Sequence, residues 1–216
     1  ALLAARLDLA LARWNEWREA HPADPMLPDA AIVFARLDEP LAATPPVPAL
    51  LVARAALEEH VAPAAAHLLG SAAPAWVASR WRVLAERAGH IEWHAADAEA
   101  HAAPLWLRAQ DWAAARRAVE GIASWRHIPQ PLLWMAEARW RAEGADVAWP
   151  LLAEAFWLAP ARAHAVLERL ADSRLRRAMQ RFEDDFELPG GSEDWAWWPA
   201  WLAVDQPLLA PTLALA

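Results

Sequence analysis

His90, His94, Asp97 and His101 are the residues whose types and spacing best suit chemistry. Their offsets of 0, 4, 7 and 11 put all four on one face of a continuous helix. Imidazoles at i and i+4 can share a metal ion, and a carboxylate one turn further on can complete a ligand set. Eleven residues of straight helix span about 16 Å. One ion could therefore take only His90/His94/Asp97 or His94/Asp97/His101, with a further ligand from elsewhere. The pattern is not H-E-x-x-H, since position 91 is Ile and Glu92 lies between the first two histidines. The alternative is a solvated polar face at a seam between helices. The function this stripe implies is a metal-binding helical protein or a metal-dependent enzyme.

Other routes to catalysis are poorly supplied. Glu183, Asp184, Asp185 and Glu187 form an acidic run that could do acid–base work or hold a hard cation. It lies on the polar side of a helix whose apolar stripe includes Phe182 and Phe186, which fits a solvated face better. The five serines lie in no G-x-S-x-G elbow, and there is no glycine-rich nucleotide loop. Lys, Cys and Tyr are absent. That excludes a Schiff-base lysine, a P-loop lysine, a thiol nucleophile, a disulfide, Cys-ligated zinc and a phenolic acid. No cofactor is expected.

The elements that must position these residues are helices. Ala (57) and Leu (30) dominate the 216 residues, with only four Ile and two Thr. Eighteen Pro against six Gly suit helices stopped by proline. Sixteen Trp are the unusual feature, and large rings can fill the gaps that Ala leaves between helices. All 20 basic residues are Arg, against 28 acids, and the net charge of −8 argues against a nucleic-acid or anionic-membrane binder. No apolar run reaches the roughly 18 residues of a membrane span. Segment 1–12 carries Arg6 and Asp8 and lacks a signal-peptide pattern. A cytoplasmic protein is expected. The chain begins with Ala, so it is read as a fragment of a longer bacterial-type chain.

The periodicity predicts helices over 2–20 (Leu3, Leu7, Ala10, Trp14 and Trp17), 29–38 with Asp29 as N-cap, 49–60, 63–69, and 75–88 (Val77, Trp81, Leu84 and Ala88). It then predicts 90–103, a restart at Pro104, 112–125, and a pair within 129–160 turning at Gly144. Helices over 161–171 and 173–187 follow, the second with Leu175, Met179, Phe182 and Phe186 on one stripe. Pro189-Gly190-Gly191 is read as a stop. A short helix capped by Ser192 then turns Trp195, Trp198 and Leu202 inward. The Pro-rich stretch 39–48 is the best internal boundary.

The stretch 129–160 resembles a tetratricopeptide repeat, on Leu132, Met135, Ala136, Ala148, Leu152, Ala155 and Pro160. Stepping back one repeat, Ala103, Trp106, Asp111, Trp112, Ala115 and Val119 fit a second unit near 96–128, where Pro104 departs from the pattern. Ala10, Trp14, Trp17 and Pro22 have the spacing of another second helix. The resemblance implies an all-α fold of antiparallel helix–turn–helix pairs stacked as an α-solenoid, here with a Trp-rich C-terminal cap. It implies a single repeat domain over 1–216: N-terminal helices 1–38, the connection 39–48, an array 49–188 and a cap 189–216. It also implies a non-catalytic scaffold that binds a protein or peptide partner in a groove. Carried over position by position, that groove takes Gln130, Leu133, Glu137, Trp140 and Arg141 from one unit, and Asp97, Leu107 and Arg108 from the other. Arg beside an exposed Trp is a common hot-spot pair. The family's carboxylate clamps use Lys and Asn, and this chain has no Lys and one Asn, Asn15.

Overall fold

The computed structural model describes residues 7–38, 42–186 and 193–207, with backbone only at 7 and 36–38. The expectations for Leu3, the Pro189-Gly190-Gly191 stop and the Ser192 cap lie outside these residues, as does part of the Pro-rich stretch. Every regular element among the described residues is helical, as an Ala/Leu-rich sequence dictates. The chain divides into two compact units, 1–111 and 112–216. The division falls inside the stretch read as one repeat (96–128), and not in the Pro-rich connection.

In the first unit, α1 (Leu7–Ala20) and α2 (Leu27–Asp38) pack through Ala10, Trp14, Ala30 and Phe34. Trp14 stacks on Phe34 at 5.2 Å. Asp24 closes the turn between them, accepting from Trp17 Nε1 (3.1 Å) and from the Met26 N–H (2.9 Å). That turn starts α2 two residues before the expected Asp29 cap. Pro28 falls at its second position, where a missing N–H costs nothing.

The expected break between two short helices near 61–62 is instead continuous. α3 (Val47–Ala56) runs through one π turn (Leu57–Val61) into α4 (Ala62–Leu69). Pro63 explains the widened turn. In a regular helix its ring would strike the Glu59 carbonyl, and here the Ala62 N–H reaches five residues back to Leu57. A short 3-10 turn at Gly70, with φ +53°, leads into α5 (Ala73–Arg87). The helical run Val47–Arg87 contains a window with mean hydropathy 1.2, so by length and composition it is able to cross a membrane. The run is turned at Gly70, α4 packs on α2 and α5, and 28% of the apolar window is buried. Trp81, Leu84 and Ala88 are buried as expected.

The second unit holds α7 (Trp112–Glu120), α8 (Pro129–Glu143), α9 (Ala145–Leu158), α10 (Pro160–Leu170), α11 (Ser173–Phe186) and α12 (Trp198–Asp205); α6 (Ala102–Arg108) closes the first. α8 packs on α7, α9 and α10, and α9 on α10. Ala136, Ala148, Ala155 and Ala163 are fully buried where backbones approach. Trp149, Phe156 and Trp198 fill the space between, with Trp198 5.4 Å from Trp149 and 5.0 Å from Phe156. The 3-10 turn Asp194–Trp197 and α12 lie on α9, α10 and α11. Trp195, Trp198 and Leu202 are buried there, as the sequence predicts. Phe186 departs from the α11 stripe: it touches Phe182 at 4.9 Å but is largely exposed at the helix end.

Candidate functional site

The histidine stripe does not form. Residues 91–94 have no regular structure and 95–100 form a 3-10 turn, so the helix expected over 90–103 is absent and His90, His94, Asp97 and His101 share no face. Each histidine serves the local backbone. His90 Nδ1 lies 3.0 Å from the Arg87 carbonyl, ending α5. His94 caps the 3-10 turn, accepting from the Ala96 N–H at 3.4 Å. His101 caps α6, accepting from the Ala103 N–H at 3.2 Å, and is only 7% exposed. Burial lowers its pKa. These caps are the physical reason for the correction: a ring nitrogen at the N-cap satisfies an N–H that continuing the helix would otherwise bond. Pro104 is then the third residue of α6, within the first turn, where a proline is tolerated. Among the described residues, no three of His, Cys, Asp and Glu converge in a way that could hold a metal ion.

Arg108 sits in a network of the first unit. It donates to Glu99 at 3.2 Å, lies 3.6 Å from Glu58, and stands over the Trp81 ring at 5.4 Å. Arg54 joins Glu58 (2.9 Å) and Glu99 (3.1 Å). Arg108 therefore ties the π turn to the 3-10 turn before α6, and Arg54 adds α3 to the network. Asp97 and Leu107, the other residues carried over from that unit, are half-buried.

The positions on α8 divide by depth. Leu133 is 1% exposed and is a packing residue. Gln130 and Trp140 are half-buried, and Arg141 is exposed. Glu137 is mostly covered and pairs with Arg169 at 2.8 Å. Arg141 donates to the Arg169 carbonyl at 2.9 Å, near the end of α10. Further ion pairs cross between helices. Arg116 of α7 pairs with Glu143 at the end of α8. Arg126, before α8, grips Glu154 near the end of α9 through two hydrogen bonds from Nε (2.9 and 3.1 Å) and one from Nη2. The hydrogen bonds to Glu154 raise the pKa of Arg126.

A second surface of this unit was not foreseen. Trp157 (66% exposed) and Trp197 (62%) meet edge to face at 5.9 Å and 90°, beside partly exposed Leu158. The sequence carried a signal for it: Trp195, Trp198 and Leu202 share one inward stripe at helical spacing, and Trp197 falls off it. A neighbouring ring, Trp201, donates to Asp185 at 3.1 Å and carries the Arg181 guanidinium 5.9 Å from its centroid. Arg181 in turn bonds Asp205 at 2.6 Å. The acidic run is thus partly engaged in holding α11 to α12.

The chain matches no known protein family, and no curated protein or solved structure is significantly similar to it.

Proposed function

We propose that this chain is a non-catalytic interaction module of tetratricopeptide-like type, which binds a protein or peptide partner. The observation that carries the reading is the direction of the ion pairs in the second unit. Arg116, midway along α7, meets Glu143, last in α8. Arg126, just before α8, meets Glu154, late in α9. Glu137 and Arg141, in the later half of α8, meet Arg169 near the end of α10. The last two pairs run α8 antiparallel to α9 and parallel to α10, which supports a reading as stacked helix–turn–helix pairs. Gly144 supports the tight turn between α8 and α9, and buried alanines support the close crossings.

In such an array the first helices of successive pairs line one face, and α8 brings Trp140 and Arg141 to it with neither side chain fully buried. The reading also draws on the poverty of catalytic residue types in the sequence, which has no Lys, Cys or Tyr. The test is affinity capture with the wild-type chain and a Trp140→Ala/Arg141→Ala variant, both confirmed folded by circular dichroism. The partner is then purified and titrated against each. Loss of binding in the variant is expected. Equal binding by both would remove the α8 face from the account.

A further inference from the structure

We propose that the exposed Trp157–Trp197 pair of the second unit is a receptor for arginine or lysine side chains of a basic peptide segment. The inference rests on the reading of the chain as an interaction module and names a second surface with its own chemistry.

The first argument is exposure. Two large indoles, each about two-thirds open to solvent, are costly to leave bare unless a partner covers them, and Trp is enriched where partners bind. Their perpendicular arrangement offers faces that meet at a corner, and ring faces attract cations.

The second argument is charge. From Glu183 to the end, the sequence holds seven carboxylates (183, 184, 185, 187, 193, 194 and 205) and no base. Glu193 and Asp194 open the same 3-10 turn that carries Trp197, and no ion pair among the described residues involves either. Trp157 lies in the last turn of α9, where the helix carbonyls carry partial negative charge. The nearby Arg126 is already neutralised by Glu154. A second copy of this chain, also at −8, would be repelled. A cationic partner is drawn in.

The third argument is that the unit already uses this chemistry within itself. Arg181 rests over Trp201 with Asp185 and Asp205 as flanking carboxylates. Among the described residues no arginine lies over Trp157 or Trp197. The corner presents the same ring-and-carboxylate pairing to an incoming side chain.

The experiment is fluorescence anisotropy of a labelled nonapeptide of alternating Arg and Ser, titrated with the full chain at physiological salt. Glu and Leu versions of the peptide serve as comparisons. Single variants Trp157→Ala and Trp197→Ala should each weaken the Arg peptide about three-fold, and the double variant about ten-fold. Glu193→Gln/Asp194→Asn should weaken it as well. Removing two charges in the other unit, by Glu86→Gln/Glu92→Gln, should leave affinity unchanged. The rings are at the surface, so these variants keep the wild-type melting temperature. Equal binding by wild type and the double Trp variant would overturn the proposal in favour of unspecific charge attraction. So would a Leu peptide that binds as tightly as the Arg peptide, or a dimer in sedimentation that the Trp variants abolish. A partner captured through Trp140 and Arg141 would survive such a result, so failure here leaves the broader reading intact.

Discussion

Gly144 joins α8 to α9 at φ +97° and ψ 179°, a region that essentially only glycine occupies. A Cβ built there meets nothing within 4 Å, so Gly144→Ala creates no clash and its whole cost is backbone strain. That strain is about 1–3 kcal/mol. Against it stands a gain of about 0.4–1 kcal/mol, because Ala has fewer conformations to lose on folding. The net expectation is a loss of about 1–2 kcal/mol. Gly121, after α7, is an internal control. Its φ is not positive, and a Cβ there would make an ordinary contact at 3.5 Å with the Ala118 carbonyl. Gly121→Ala should therefore be neutral or stabilising by up to about 1 kcal/mol. Both glycines lie in the second unit, so urea unfolding followed by circular dichroism reads them in the same transition. The two variants should differ by about 2 kcal/mol, with the slope against urea unchanged. A Gly144→Ala variant as stable as wild type would refute the turn geometry, and with it the tight α8–α9 hairpin.

Three further expectations follow from the packing and the caps. His101 caps α6 with a neutral ring nitrogen, and burial depresses its pKa, so the unfolded chain takes up its proton first. Stability should be full above the unfolded histidine value of about 6.5 and fall as pH drops below it towards the lower folded value. His101→Asn keeps a cap and should flatten that pH dependence in thermal melts. Trp198 and Trp149 bury their indole N–H groups without a hydrogen-bond partner. Trp198→Phe should therefore cost far less than the roughly 3–5 kcal/mol of Trp198→Ala, because it removes an unsatisfied donor while keeping most of the ring. Equal losses in chemical denaturation would contradict this. Arg126 and Glu154 form the best-bonded ion pair of the second unit, but both are partly exposed. Glu154→Gln should cost no more than about 1 kcal/mol, and less at high salt.

Much of the fold was legible because helical periodicity reports buried faces directly. Trp81, Leu84, Leu132, Met135, Leu152, Leu175, Phe182 and Trp198 all sit where the pattern puts them. Proline was the weaker guide. One helix was expected to end at 60 and the next to begin at Pro63, yet the chain absorbs Pro63 in one widened turn, because a π turn relieves the clash without ending the helix. The histidine stripe failed for a related reason. Helical spacing says which residues would share a face if a helix exists, but His94 and His101 cap new turns here through Nδ1. Gly89, which sits in the turn after α5, was the local signal against the helix. On α8, spacing alone could not separate buried Leu133 from exposed Arg141, since depth depends on how closely α10 approaches. Exposure of Trp157 and Trp197 was missed because Trp is usually buried and the stripe argument assigned only Trp195 and Trp198.

The measurement that tests the interaction-module account most directly is a three-bait capture with wild type, Trp140→Ala/Arg141→Ala, and Trp157→Ala/Trp197→Ala. Each bait is matched for folding, and each captured protein is re-titrated in pure form. The account predicts a partner that binds wild type and is lost when the α8 face is altered. A partner bound equally by all three folded baits, or none bound by wild type, would contradict it.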